Sequence, residues 1–167
     1  MNSIPGKILV ATQDDICVIK LVGDIRVTLC SSIDKTIEKI LGSGKPFRDV
    51  FINVMEAETI DSTSLGLLAK LSIHVKKHYG FRPTIVSTNP SITKLLNAVG
   101  FSQIFNILTS LDEKCLNARC QEFNPSNDLS EEQLKEKVIE AHRVLMALNR
   151  ENQETFQELV SNLEKNH

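Results

Sequence analysis

Thr59 to Leu68 reads TIDSTSLGLL, and within this stretch a run of small hydroxyl side chains stands between a strand and a helix. Upstream, Asp49 to Val54 (DVFINV) has the short apolar, β-branched character of a covered strand, and Met55 to Ile60 reads as the loop leaving it. Downstream, Leu65, Leu68, Leu71, Ser72, Val75 and Tyr79 recur every three or four residues while Lys70, Lys76 and Lys77 lie elsewhere, which predicts a helix with one apolar face. Asp61 is the expected N-cap. The first amides of such a helix have no acceptor within it and the dipole is positive there, so a phosphoryl group on Ser62 or Thr63 would meet a favourable field. Capping alone would also account for Asp, Ser and Thr at this place, and a cap implies no activity.

Working outward, Lys7–Thr12 and Ile16–Gly23 are strand candidates separated by Gln13, Asp14 and Asp15, as in an antiparallel hairpin. Leu29, Ile33, Ile37, Ile40 and Leu41 have helical spacing, stopped by Gly42, Ser43, Gly44 and Pro46. Pro83 to Ser87 gives a further strand, Ser91 opens a helix with Ile92, Leu95, Leu96 and Val99 on one face, and Asn106 to Leu108 gives a short last strand. Strands alternating with helices predict an α/β fold, a mixed sheet with parallel crossovers layered against helices. Gln121 to Asp128, with Pro125, reads as a linker. Beyond it, Ser130 to Gln133 matches a capping box, and Leu134, Val138, Ala141, Leu145 and Leu148 form a helical seam. Asn149 to Asn152 interrupts it, and Phe156, Leu159, Val160 and Leu163 resume on a shifted face, as one drifting helix or two joined there. The chain therefore divides into 1–120 and a C-terminal helical extension, 121–167, which either folds back on the first unit or serves as a partner-binding or homo-oligomeric arm. Removal of the extension is expected to leave a folded core.

Composition narrows the function classes. The length of 167 residues with 41% hydrophobic content supports one ordinary domain plus an extension. A formal charge of -2 and no arginine-rich run argue against nucleic acid as a direct partner. Cys17, Cys30, Cys115 and Cys120 form neither paired metal knuckles nor a disulfide framework, and His74 and His78 lack the glutamate pattern of a metalloprotease helix. No metal or other cofactor is expected. The N-terminus lacks a secretory signal and no run is long enough to span a membrane, so the expected location is the cytoplasm. Dinucleotide, nucleotide and hydrolase signatures are absent, Asp14 and Asp15 are explained by a turn, and the chain does not read as an enzyme.

The order of elements and the words DSTSLG resemble the STAS domain family, and more narrowly the bacterial anti-anti-sigma factors, whose switch segment is D-S-[ST]-G-L-G. Asp61, Ser62, Thr63, Leu65 and Gly66 match, while Ser64 stands where the family usually has glycine. The resemblance runs from about Ile8 to Leu111. It includes Leu21, Val22, Gly23, Asp24 and Ile25 as the L-x-G-x-[IL] segment, followed by Arg26 where a further acidic residue is usual, and Ser87–Ile92 with Leu95, Leu96, Val99, Gly100 and Phe101 as the closing strand, loop and helix. It implies a STAS-like fold and a switchable binding module. Ser62, with Thr63 second, would be the phosphorylated residue, and Asp24, Asp61, Ser62, Thr63, Ser64, Leu65 and Gly66 would meet the partner. The partners implied are an anti-sigma factor or related serine kinase and a PP2C-type phosphatase, with unphosphorylated protein binding and phosphorylation releasing. A scaffold subunit assembled regardless of phosphorylation is the alternative, and a small-molecule sensor a third class that no glycine loop supports.

Overall fold

The computed structural model describes residues 4–110, 121–122 and 129–165. Its elements are β1 (Lys7–Gln13), β2 (Ile16–Ile25), α1 (Cys30–Gly42), β3 (Asp49–Ile60), α2 (Ser62–Tyr79), β4 (Thr84–Val86), α3 (Pro90–Ala98), β5 (Asn106–Leu108), β6 (Gln121–Glu122), α4 (Glu131–Leu148) and α5 (Arg150–Lys165). The sheet order is β5-β4-β3-β2-β1-β6, with β2 to β5 parallel and β1 antiparallel to both of its neighbours. Each step from β2 to β5 moves in the same direction across the sheet, so right-handed crossovers lay α1, α2 and α3 on one face. That is the expected α/β arrangement.

Alternation along the strands agrees with this one-sided layering. Cys17, Ile19 and Leu21 of β2 and Val50, Ile52 and Val54 of β3 join Ile33, Ile37 and Ile40 of α1 and Leu65, Leu68 and Leu71 of α2 in the main core. The opposite face carries only a small cluster, Ala11, Val18, Phe51 and Val86.

Three sequence expectations are corrected. Met55–Ile60 is not a loop but the second half of β3, because it continues the parallel ladder with Val22–Ile25 through two register shifts. Gln121 and Glu122, expected in the linker, pair with Val10 and Leu9 at the edge of β1, where an edge strand offers backbone partners to any sequence. The helix expected from Ser91 begins at Pro90, with Asn89 as its cap accepting from the Ser91 N–H at 2.9 Å. Cys115, Cys120, Leu111 and the rest of the expected linker lie outside the described residues.

The extension folds back. Ser130 and Gln133 form the capping box in both directions; Asn149 then takes an extended conformation that ends α4, and its side chain accepts from the Asn152 N–H at 2.8 Å. Two helices result. Ala141 and Leu145 are fully buried members of the main core, so α4 lies on α2, and α5 returns along α4 through the Arg143–Glu164 ion pair and the edge-on packing of His142 and Phe156. The Asn152 amide fastens the α4–α5 corner to the end of α3, donating to the Val99 and Leu145 carbonyls at 2.9 Å each.

Candidate functional site

β2 and β3 end side by side, and Asp61 joins them to α2. Its backbone N–H donates to the Ile25 carbonyl at 2.9 Å. Its carboxylate accepts the Ser64 N–H on Oδ1 at 2.8 Å, the expected cap, and the Val27 N–H on Oδ2 at 2.7 Å. One side chain thus satisfies the first turn of α2 and the chain leading into α1, and both its oxygens are engaged.

The three hydroxyls that follow are sorted by burial. Ser62 is half-buried, whereas Thr63 and Ser64 are 5% and 0% exposed. Of the three residues, only Ser62 keeps any substantial exposure. Among the described residues Ser64 Oγ has no hydrogen-bond partner, an unfavourable arrangement for a buried hydroxyl. Leu65 and Gly66 are also buried. Asp24 sits one strand away at the end of β2, with its carboxylate held by Arg26 and by the Thr59 hydroxyl. The chain's departure at Arg26 thus neutralises the neighbouring carboxylate. Gly23 carries φ +81°, and a Cβ there would stand 2.7 Å from the Ile4 and Pro5 carbonyl oxygens, so the L-x-G-x-[IL] glycine is required by the incoming N-terminal segment.

Ser62 has a partner that the sequence did not suggest. Its Oγ lies 2.7 Å from His142 Nε2, and His142 Nδ1 lies 2.6 Å from the Val138 carbonyl. A carbonyl only accepts, so Nδ1 carries the hydrogen; in the neutral imidazole Nε2 is then the acceptor and the Ser62 hydroxyl donates to it. One turn further along α2, a Cβ on Gly66 would fall 2.2 Å from the Ala141 carbonyl oxygen. At Gly66 the two helices approach too closely for a side chain to stand between them.

A second cluster secures this crossing. Asp34 of α1, with 9% side-chain exposure, receives Lys70 of α2 at 3.1 Å and Lys137 of α4, while Glu140 of α4 meets Lys70 at 2.5 Å. Burial works against the charge of both lysines, but Glu140 and Asp34 at Lys70, and chiefly Asp34 at Lys137, outweigh it and hold both ammonium groups above their ordinary value. Burial likewise pushes the Cys30 thiol up, with the nearby Asp34 carboxylate adding to it, so that this cysteine stays protonated and unreactive. His74 and His78 are exposed on α2, and among the described residues no group of three potential metal ligands occurs. Among those residues, too, no helix is long and apolar enough to cross a membrane.

Comparison with known proteins places this geometry. The sequence profile of the STAS domain matches residues 7–114. A comparison with curated protein sequences finds no match. Among solved structures, an anti-sigma factor antagonist from Mycobacterium paratuberculosis superposes with a TM-score of 0.56 at 20% identity, over 67% of this chain and 92% of the other. The protein TM1081, determined by NMR, gives 0.54 at 19% identity, over 65% and 85%. At these identities the likeness is one of fold, over about two thirds of this chain.

Proposed function

The chain belongs to the STAS domain family, and from that premise we propose that it is a phosphorylation-controlled antagonist of an anti-sigma factor. Unphosphorylated, it binds the anti-sigma factor through the surface around Ser62; phosphorylation of Ser62 weakens that binding, and a PP2C-type phosphatase restores it. It acts as a kinase substrate and binding module in the cytoplasm, not as an enzyme. In this reading 1–120 is the switch unit and 121–167 a regulatory addition to it.

The observation that carries the reading is the partial exposure of Ser62, alone among three consecutive hydroxyl residues, at a capped helix start. Ser62 is half-buried on the first turn of α2 while Thr63 and Ser64 are buried. A phosphoserine adds about 1.5 to 2 negative charges. The N-terminus of α2 can stabilise that charge in the free protein, but a docked partner would bury it, and an unpaired buried charge is costly. The fold of the anti-sigma factor antagonist from Mycobacterium paratuberculosis supports the same assignment of role.

Pull-down from native cells with Ser62→Ala and Ser62→Asp baits identifies the partner. Titration of that partner with unmodified, Ser62-phosphorylated and Ser62→Ala protein then tests the sign, with circular dichroism confirming that all three are folded. Unmodified and Ser62→Ala protein should bind alike, and the phosphorylated form at least tenfold more weakly. Equal affinities would favour a scaffold assembled regardless of phosphorylation, and stoichiometric phosphate on Thr63 or Ser64 with Ser62 free would refute the assignment of the acceptor.

A further inference from the structure

A helix on the surface of a domain keeps a polar face toward water, yet every residue of α2 from Thr63 to Ala69 is buried. The sheet side accounts for Leu65 and Leu68. The other side is closed by α4. Ser62, Gly66, Lys70 and Ile73 fall at successive three- or four-residue intervals and so form one stripe along α2. His142 meets Ser62, Ala141 meets Gly66, Glu140 meets Lys70, and Lys137 reaches past the stripe to Asp34. The hairpin therefore occupies the surface that the anti-sigma factor would need.

We infer that this stripe is a helix-receiving groove for which α4 is the resident competitor, and that the partner docks by exchanging an amphipathic helix of its own for α4. The groove states what that helix must carry. The crossing at Gly66 admits only a small residue, as Ala141 is. Four positions earlier a basic residue is needed opposite Asp34, as Lys137 is, and next to the small residue a side chain that hydrogen-bonds the Ser62 hydroxyl, as His142 does. Along the stripe itself α4 is held by one hydrogen bond, a contact between small residues, and an ion cluster whose Lys70, Lys137 and Glu140 keep 23%, 30% and 39% side-chain exposure. Leu145 in the core and the Asn152 amide at the α4–α5 corner anchor its far end, so an incoming helix must also replace that apolar contact.

This inference rests on the partner docking at Ser62, but its test does not use that partner. A fluorescent peptide of residues 129–165 is titrated into the full-length wild-type chain and into full-length Ala141→Glu, whose own α4 carries a charge that cannot sit on the Gly66 backbone. The opened chain should bind the peptide at least tenfold more tightly than wild type. Adding Asp34→Lys to the opened chain, or Ala141→Leu to the peptide, should each remove at least tenfold. If Ala141→Glu does not fold, a protease site inserted between residues 123 and 128 and then cut leaves the groove sequence native, and the labelled peptide should replace the severed hairpin. A folded opened chain that binds no better than wild type, or a severed hairpin that never exchanges, would overturn the groove. A stable wild-type dimer with hairpins exchanged between copies would make the occupant a second copy and overturn the partner's helix. Peptide exchange that succeeds while Ser62 phosphorylation leaves partner affinity unchanged refutes the switch and not the groove.

Discussion

Gly66→Ala tests the helix crossing directly. The added Cβ would lie 2.2 Å from the Ala141 carbonyl oxygen, 2.5 Å from its carbon and 2.7 Å from its Cβ, against an ordinary separation of about 3.5 Å or more between carbons. The obstructing atoms include backbone, so no rotamer change relieves them, and α4 must withdraw by about 1 Å. Overpacking of this kind costs about 1–3 kcal/mol, and the Ser62–His142 hydrogen bond one residue away is worth about 1 kcal/mol more when lost. Alanine also gains about 1 kcal/mol of helix propensity over glycine, but α2 is helical whether or not α4 is seated, so that gain raises overall stability and cancels from hairpin opening. The opening equilibrium should therefore shift by about 2–4 kcal/mol, roughly 30- to 700-fold. Hydrogen exchange read by mass spectrometry should show α4 and α5 amides losing protection by that factor while β3 and the sheet-facing turns of α2 do not. Adding Ala141→Gly should not restore protection, because the carbonyl remains. Hairpin protection within threefold of wild type, or equal loss throughout the chain, would refute the claim that this crossing seats the hairpin.

Further expectations concern the junction and the far end of the sheet. Asp61→Ala removes the acceptor for both Ser64 and Val27 amides and should cost about 2 kcal/mol in urea unfolding; a loss under about 0.5 kcal/mol would show that solvent replaces the carboxylate. Ser64→Ala deletes a buried hydroxyl that has no partner among the described residues, and should stabilise by about 1 kcal/mol, with no gain arguing that the hydroxyl is satisfied. At the start of β3, burial raises the Asp49 pKa above its ordinary 3.8, with the Val50 N–H, the Thr84 hydroxyl and Arg48 only partly offsetting it. A raised carboxylate pKa favours the folded state fully below 3.8, and that contribution is lost as pH rises through the folded value. Asp49→Asn, whose Oδ1 can still accept from Val50, should thus gain stability relative to wild type between pH 3 and pH 7, and a relative loss over that range would reverse the assignment.

Much of the fold was legible because strands and helices here carry distinct periods. Alternation in Cys17, Ile19 and Leu21, and three-to-four spacing in Leu65, Leu68 and Leu71, each bury the face they name. Asp61 was legible as a cap because its chemistry is local. Its second bond, to the Val27 N–H, was not, since it depends on β2 and β3 ending together. The second half of β3 was missed because Glu56, Glu58 and Thr59 are exposed in a strand that still pairs on its ladder side. The hairpin's seat did leave a trace: Leu67 and Ala69 lie off the expected apolar face of α2 and yet are 0% exposed, and a stretch that is small or apolar all round needs cover on both sides. His142 left none, because its value lies in standing beside Ala141 on another helix.

The hairpin stays covalently joined to the groove it fills, through the chain between Glu122 of β6 and Glu131. A tethered ligand competes at an effective concentration set by its linker, commonly on the order of millimolar. An outside helix present at about 1 μM must therefore bind the bare groove roughly a thousandfold more tightly than α4 itself does before it wins half of the molecules. The tether makes the chain selective by threshold: weak amphipathic helices are turned away whatever their abundance at ordinary cellular levels, and only a partner with additional contacts outside the stripe can open it.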